Sequence, residues 1–108
     1  MSNALIAKTM LGIEDHGLLT AMLFLEGDGW SQGFGGYCFG SHTNGTDEQN
    51  ANLAIFIKRV LEIAGVSEWE KLPGKLVRIK KEGLNDPIRA IGHPLKNLWF
   101  NPQEEFQK

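Results

Sequence analysis

The segment ALIAKTMLGIEDHGLLTAMLFLEGDGW, residues 4–30, carries the clearest fold signals in the sequence. Two apolar, β-compatible runs are separated by Glu-Asp-His-Gly at positions 14–17, and Gly-Asp-Gly at positions 27–29 follows the second run. Aspartate and glycine tolerate the backbone dihedrals that tight hairpin turns need. Short turns join antiparallel strands, so the segment predicts a meander of three strands over residues 3–13, 18–26 and 30–40.

Alternation along the first predicted strand assigns its side chains to the two faces of the sheet. Leu5, Ala7 and Thr9 are expected on one face, and Ile6 and Met10 on the other.

The residues after the meander predict one long helix, one short helix and two strands. Thr46 and Gln49 have the spacing of a capping box, and Gly65 is a typical terminator, which predicts a helix over residues 46–64. Ser67 and Glu70 repeat the capping spacing and predict a short helical turn. Strands are predicted over residues 75–81 and 88–91, and one helical turn over residues 95–100.

The predicted fold is therefore α+β: an antiparallel β-sheet of about five strands with one long and one short α-helix packed on it. Residues 1–108 form a single domain, since 108 residues suit one small core.

Composition excludes several classes of protein. Apolar residues make up 42% and charged residues 22%, as in ordinary folded domains. The longest uncharged apolar stretch, residues 17–25, is far shorter than the roughly 18 residues of a membrane span. No signal peptide is expected, and the single cysteine, Cys38, excludes an intramolecular disulfide and fits a reducing compartment.

Charge is distributed unevenly along the chain, although the total is only −2. Residues 1–46 carry one base and four acids, whereas residues 71–96 carry seven bases and two acids. A local excess of bases of this size either binds a phosphate-bearing partner or forms a solvated strand surface.

Catalytic and metal-binding patterns are not found in the sequence. The three histidines His16, His42 and His93 lack ligand spacing, and neither a dinucleotide-binding nor a phosphate-loop glycine motif is present. No catalytic residue, metal site or cofactor is predicted.

The long helix has two neighbouring stripes when its residues are placed at about 100° each. Leu53, Ile57, Val60, Leu61 and Ala64 form the stripe expected to face the sheet.

The second stripe contains Asn52, Phe56, Arg59 and Ile63. It has two interpretations. It is either a wide core contact covered by the C-terminal segment, or a subunit contact or ligand wall in which phenylalanine stacks and arginine binds phosphate.

The glycine-rich stretch GFGGYCFG, residues 33–40, also has two interpretations. Glycine weakens a strand interior, so four glycines in eight residues indicate either a bulge or bend, or a flat group lying against the backbone. In the second case Phe34, Tyr37 and Trp30 would surround that group.

Four segments in order resemble one known family. They are KTMLGIEDHG (8–17), GFGGY (33–37), FIKRVLEIAGVSEWEKLPGKLVRIK (56–80) and AIGHPLKNLWFNPQEEF (90–106). Together they cover most of the chain and resemble the phage-encoded Thoeris anti-defence proteins of the first type. The loop at residues 41–45 departs from the family, since it is shorter and more polar than the acidic loop of its members.

The resemblance implies a sponge and not an enzyme. Members of that family sequester, without cleaving, the cyclic ADP-ribose isomers made by bacterial TIR-domain immune enzymes, and some also hold cyclic oligonucleotides. They are homo-oligomers, from dimers up to hexamers, that enclose the nucleotide where subunits meet. The implied location is the cytoplasm of the infected bacterial host, with no membrane and no nucleic acid as partner.

The candidate ligand-binding residues come from the glycine-rich stretch, the second helix stripe and the arginines. They are Phe34, Gly35, Gly36, Tyr37, Asn52, Phe56, Arg59, Arg78 and Arg89.

Two other functions stay open: a small single-stranded nucleic-acid-binding module, which would use the basic segment, and an enzyme that hydrolyses nucleotides. The sequence pI of about 5.9 weighs against the nucleic-acid module.

Overall fold

The computed structural model describes residues 2–13, 17, 19–36, 46–83 and 86–106. Their elements are, in chain order, β1 (Ser2–Ile13), β2 (Leu19–Gly27), β3 (Trp30–Gly35), α1 (Thr46–Ala64), a 3-10 turn (Trp69–Lys71), β4 (Leu76–Lys80), β5 (Ala90–Gly92), β6 (Trp99–Phe100) and α2 (Pro102–Phe106). The α+β class, the long helix and the three-stranded meander are confirmed. Pairing of β3 ends at Gly35, and residues 37–40 of the predicted third strand lie outside the described residues.

The strands form one sheet in the order β3-β2-β1-β4-β5-β6, and every neighbouring pair is antiparallel. β1 is the longest strand and lies between β2 and β4. β4 pairs only with the first part of β1, from Ser2 to Leu5. The far part of β1 therefore extends beyond β4 as one strand of the β1–β2 hairpin.

A bulge near the middle of β1 changes the predicted faces. The register against β2 shifts by one residue between Ile6 and Lys8, which leaves Ala7 as the extra residue. Leu5 and Thr9 therefore lie on opposite faces, and the prediction that they share one is wrong. An odd insertion moves every later side chain to the other face, and alternation in the sequence cannot reveal it.

The buried face of α1 combines both predicted stripes. Leu53, Phe56, Val60 and Ile63 are almost completely buried, whereas Ile57 is only half-buried. The spacing of three and four residues gives one apolar face that packs on the sheet. The wide core contact is therefore confirmed, and a ligand or subunit role for the Phe56 ring is wrong because the ring has no exposed surface.

The end of α1 follows the sequence prediction. Gly65 has a φ of +73°, and its N–H donates to the Leu61 carbonyl at 2.9 Å. The Val66 N–H donates to the same carbonyl at 3.1 Å, which completes a glycine-terminated helix end.

The short helical turn is confirmed, but its predicted cap is wrong. The turn covers Trp69–Lys71, its N-cap residue is Glu68, and no side chain caps it. A single 3-10 turn exposes few backbone donors, and Ser67 lies one residue too early to serve them.

Three phenylalanine rings show that the sheet curls around α1. Phe34 on β3 and Phe100 on β6 belong to the two edge strands, which would be about 24 Å apart in a flat sheet of six strands. Their ring centroids are only 6.3 Å apart. The Phe56 ring lies 5.9 Å from Phe34 and 5.8 Å from Phe100. We refer to these three residues as the phenylalanine cluster.

Polar contacts also hold the edge strand β3 against the segment between β4 and β5. Gln32 Nε2 donates to the carbonyl of Asp86 at 3.1 Å, and the N–H of Ile88 donates to Gln32 Oε1 at 3.2 Å. The amide of Gln32 thus supplies two of the hydrogen bonds that a neighbouring strand would otherwise make.

The C-terminal segment closes the core. The predicted helical turn over residues 95–100 is wrong, because Trp99–Phe100 pairs with β5 as strand β6. The pairing buries Phe100 completely, and α2 follows it with Phe106 packed on Phe100 at 6.2 Å between ring centroids. Burial of an aromatic ring outweighs the weak local preference of a short tail.

The phenylalanine cluster makes a testable prediction about stability. Phe56→Ala removes the ring that joins both edge strands to α1, and we expect it to lower the free energy of unfolding by about 3–5 kcal/mol. Ile55→Ala is the matched control, because Ile55 is the preceding residue of α1 and is 41% exposed. It should cost about 1 kcal/mol or less. Urea unfolding measures both, and equal losses would contradict the central role of the cluster.

Candidate ligand site

The glycine-rich stretch packs against side chains of its own chain. Gly35 has a φ of +108°, and a β-carbon there would lie 2.6 Å from Cζ of Phe56 and 2.8 Å from the Ala21 carbonyl oxygen. At Gly36 it would lie 2.7 Å from Cε of Met22. The flat group that Gly35 accommodates is therefore the Phe56 ring, whereas Gly36 makes room for the Met22 side chain.

Three of the predicted ligand residues are buried by this packing. Phe34 is 1% exposed and Phe56 0%, so neither ring offers a face to a ligand. Gly35 is buried against the Phe56 ring, whereas Gly36 is half-buried next to Met22. Tyr37 lies outside the described residues.

Arg59 holds the C-terminal segment against α1. Its Nη2 donates to the carbonyl of Trp99 at 2.7 Å, and its Nε donates to Glu105 Oε1 at 3.0 Å. Nη1 forms an ion pair with Glu62 at 3.3 Å, and the side chain is 20% exposed. With two carboxylates and one carbonyl around it, the guanidinium has a structural role within the chain, and its predicted contact with phosphate stays a prediction.

The other predicted polar residues lie apart from one another. Arg89 is exposed and forms an ion pair with Glu82 at 3.3 Å. Asn52 is half-buried on α1. Arg78 lies on the face of the sheet opposite α1, because its neighbours in β4, Val77 and Ile79, are both buried against the core. Within one chain, therefore, the three arginines do not converge on one phosphate.

The structure instead brings Arg78 together with two residues that sequence analysis did not single out. The guanidinium carbon of Arg78 lies 4.8 Å from the ring centre of Trp99, and Nζ of Lys80 lies 4.1 Å from it. We call Arg78, Lys80 and Trp99 the Trp99 cluster. Both cations are close enough for cation–π attraction to the indole ring.

Strand register explains why these three residues meet. Gly92 of β5 pairs with Arg78 on one side and with Trp99 on the other. A β-carbon at Gly92 would lie 2.6 Å from Cε3 of Trp99, so only glycine lets the indole ring rest on the sheet. Lys80 follows Arg78 by two residues and therefore shares its face.

The loop between β5 and β6 is fixed next to the Trp99 cluster. Arg78 donates from Nε to the carbonyl of His93 at 2.8 Å and from Nη2 to the carbonyl of Lys96 at 2.7 Å. Nδ1 of His93 accepts the backbone N–H groups of Leu95 and Lys96, both at 3.0 Å. The loop thus presents Lys96 on a backbone that is held by Arg78 and His93.

Described acidic residues do not neutralise the charge around the Trp99 cluster. Within the described part of the chain, no carboxylate forms an ion pair with Arg78, Lys80 or Lys96. This distinguishes Arg78 from Arg59 and Arg89, each of which is paired with glutamate. A half-buried indole beside two cations, with an exposed lysine on the adjoining loop, suits a ligand that combines a flat ring with negative charge.

Sequence reasoning missed Trp99 because it lies about twenty residues from Arg78 along the chain. Alternation in β4 was a usable signal for Lys80, which shares a face with Arg78. No local signal could place Trp99, since its position depends on the pairing of β6 with β5.

Over the described residues, no three histidine, cysteine, aspartate or glutamate side chains are grouped so that they could hold a metal ion. None of the helices described has both the length and the apolar character to cross a membrane.

Comparison with known proteins adds no identification: no family model, no curated relative and no solved structure matches this chain.

The contacts of Arg59 predict a loss of stability on substitution. Arg59→Ala leaves the carbonyl of Trp99 and the carboxylate of Glu105 without their donor, so we expect a loss of about 1–3 kcal/mol in the free energy of unfolding. Lys58→Ala changes an exposed cation of the same helix and should be nearly neutral. Chemical denaturation measures both variants. If Arg59→Ala were as stable as Lys58→Ala, the structural role of Arg59 would be refuted.

Proposed function

We propose that this protein binds and sequesters cyclic ADP-ribose-type signalling nucleotides without cleaving them, and so blocks Thoeris TIR immune signalling as a phage anti-defence sponge. The observation that carries the proposal is the ordered resemblance of four segments, which covers most of the chain, to the first type of Thoeris anti-defence protein. The proposal places the protein in the cytoplasm of the infected bacterial host.

The Trp99 cluster supports this proposal with suitable chemistry. A cyclic ADP-ribose isomer contains an adenine ring, ribose hydroxyls and two phosphates. Stacking of a base on an aromatic side chain contributes about 1–3 kcal/mol. The uncompensated cations Arg78, Lys80 and Lys96 provide the charge that the phosphates need. The cluster therefore replaces the buried rings as the proposed place of contact.

The strength of binding that a sponge needs favours an oligomer. Nanomolar affinity corresponds to about 12 kcal/mol. An open sheet face such as that of Trp99 cannot supply this against the cost of immobilising the ligand, whereas enclosure between two copies can. The proposed functional unit is therefore a homo-oligomer, a dimer or a larger assembly up to a hexamer, with the nucleotide at a subunit boundary.

Direct binding measurements test the proposal. The purified full-length protein is titrated with a panel of cyclic ADP-ribose isomers and cyclic oligonucleotides, and affinity is read by calorimetry and by thermal shift. A ligand at a thousandfold excess over its Kd stabilises the fold by about 4 kcal/mol, which is a large rise in melting temperature for a domain of this size. Absence of a shift with every member of the panel would refute the proposal.

The fate of the ligand separates sequestration from hydrolysis. Heat denaturation of the complex should release the nucleotide with its mass unchanged, as judged by chromatography and mass spectrometry. Release of fragments would instead support the nucleotide-hydrolysing enzyme.

Variants of the Trp99 cluster test whether the nucleotide binds there. We expect Lys80→Ala and Trp99→Phe to weaken binding at least tenfold, because they remove a cation and the larger stacking surface. Lys58→Ala is the control, since Lys58 is an exposed cation on α1, on the other side of the sheet. Calorimetry gives the three affinities. If Lys80→Ala and Trp99→Phe bind as tightly as the control, the cluster is not the site.

One observation favours a second candidate, a module that binds single-stranded nucleic acid. The sheet face opposite α1 carries a second cation–aromatic pair, with Nζ of Lys8 4.9 Å from the ring centre of Phe24. Separated aromatic and basic groups on an open sheet are typical of surfaces that follow a strand. Affinity for an oligonucleotide that falls steeply with salt would support this candidate, whereas binding of one enclosed nucleotide depends on salt much less.

A further inference from the structure

The far half of β1 has one edge without a partner strand. Residues 8–13 pair with β2 on one side. On the other side β4 reaches only to Leu5, and Ile6 bonds to Gly74 and Lys75 in the turn before β4. Over the described residues, no strand continues this edge beyond Ile6. We call residues 8–13 and the paired start of β2 the arm.

The arm also carries exposed apolar side chains on the helix side of the sheet. Leu11 is 47% exposed, Ile13 65% and Leu19 46%. They are neighbours, because Ile13 pairs with Leu19 and Leu11 pairs with Ala21, two residues along β2. α1 covers the other half of this face and leaves these three side chains uncovered.

These two features indicate an extended strand as the missing neighbour. A free edge presents unpaired N–H and C=O groups, which a further strand satisfies by β-augmentation. Natural edges that stay unpaired usually carry inward-pointing charges, prolines or short strands. The edge from Thr9 to Ile13 has no charged residue and no proline.

We infer that two copies of this chain associate through antiparallel pairing of their β1 arms about a two-fold axis at Leu11. The inference rests on the homo-oligomer of the proposed function and adds one surface through which copies meet, separate from the Trp99 cluster on β4 and β6. A second copy fits this edge because the edge is complementary to itself under a two-fold rotation. Such a rotation makes an isologous interface, the commonest kind in homodimers.

Side-chain pairing is compatible with this register. With the axis at Leu11, Leu11 faces its copy and Ile13 faces Thr9 of the other chain, all on the helix side. Moving the axis to Met10 would place Ile13, the most exposed of the arm's large apolar residues, against the bulge at Ala7. Cross-strand apolar pairs stabilise a sheet, and one buried face fixes its register.

Charge is compatible with the same pairing. Lys8 is the arm's only described charged residue, and the axis at Leu11 sets the two copies of Lys8 about 20 Å apart along the strands. At that distance the like charges are screened by physiological salt.

Sedimentation velocity of the full-length protein without nucleotide tests the inference. At micromolar concentration we expect a dimer or a multiple of it, and Leu11→Glu should raise the dimer dissociation constant at least tenfold. Leu95→Glu is the matched control, because Leu95 is 90% exposed and lies outside the arm. It should leave the dimer intact. A monomeric parent protein, or equal dimerisation of Leu11→Glu and the parent, would overturn the inference.

A cross-link tests the register and stays informative if Leu11→Glu fails to fold. In a Cys38→Ser background, Leu11→Cys should form a covalent dimer on mild oxidation. Directly opposed β-carbons are about 4.5–5.5 Å apart, so a small local adjustment brings them to the roughly 3.5–4.5 Å of a disulfide. Ile13→Cys on the same arm should not, because its copy would lie four residues away along the strands. Cross-linking through Ile13→Cys but not Leu11→Cys would overturn the inference.

Nucleotide binding is measured separately on each variant. A dimer through the arm that binds none of the cyclic nucleotides would refute the proposed function and leave the arm interface in place. A parent protein that binds a nucleotide while monomeric would refute the arm interface and leave sequestration in place.

Discussion

The fold depends on one packing constraint, the burial of α1 against both edges of a six-stranded sheet. The phenylalanine cluster meets this constraint, because Phe56 on α1 contacts Phe34 on the first edge strand and Phe100 on the last. A flat sheet could not bring those rings together, so the sheet curls and the helix fills its concave side. Gly35 leaves the space that the Phe56 ring needs.

The same curvature determines which groups remain for function. Aromatic rings that face the core offer no surface to a ligand, as with Phe34 and Phe56. The outward face keeps Trp99, whose ring rests on Gly92 with Arg78 and Lys80 beside it. Closing the core also occupies Arg59, because its guanidinium holds the C-terminal segment in place. Structural and candidate functional arginines are thus separated by the sheet.

Closing the sheet around one helix also leaves the β1 arm uncovered. One helix of 19 residues is about 28 Å long and covers only part of a sheet whose longest hairpin continues past it. Leu11, Ile13 and Leu19 occupy that uncovered part. The sheet curls so that its two outer strands approach each other, but one edge within it stays unpaired. This edge is the part of β1 that β4 does not reach, because β4 pairs with β1 only as far as Leu5.

The sequence by itself determined the local elements of this protein. Turn residues, the glycine at position 65 and the apolar spacing of α1 act over a few residues, so the meander and the long helix were predictable. The tertiary structure decided the rest, because it depends on contacts between distant residues. The bulge at Ala7, strand β6 and the meeting of Arg78 with Trp99 all arise from strand pairing across the chain. That pairing determines whether a phenylalanine faces solvent or the core, and sequence periodicity alone cannot predict it.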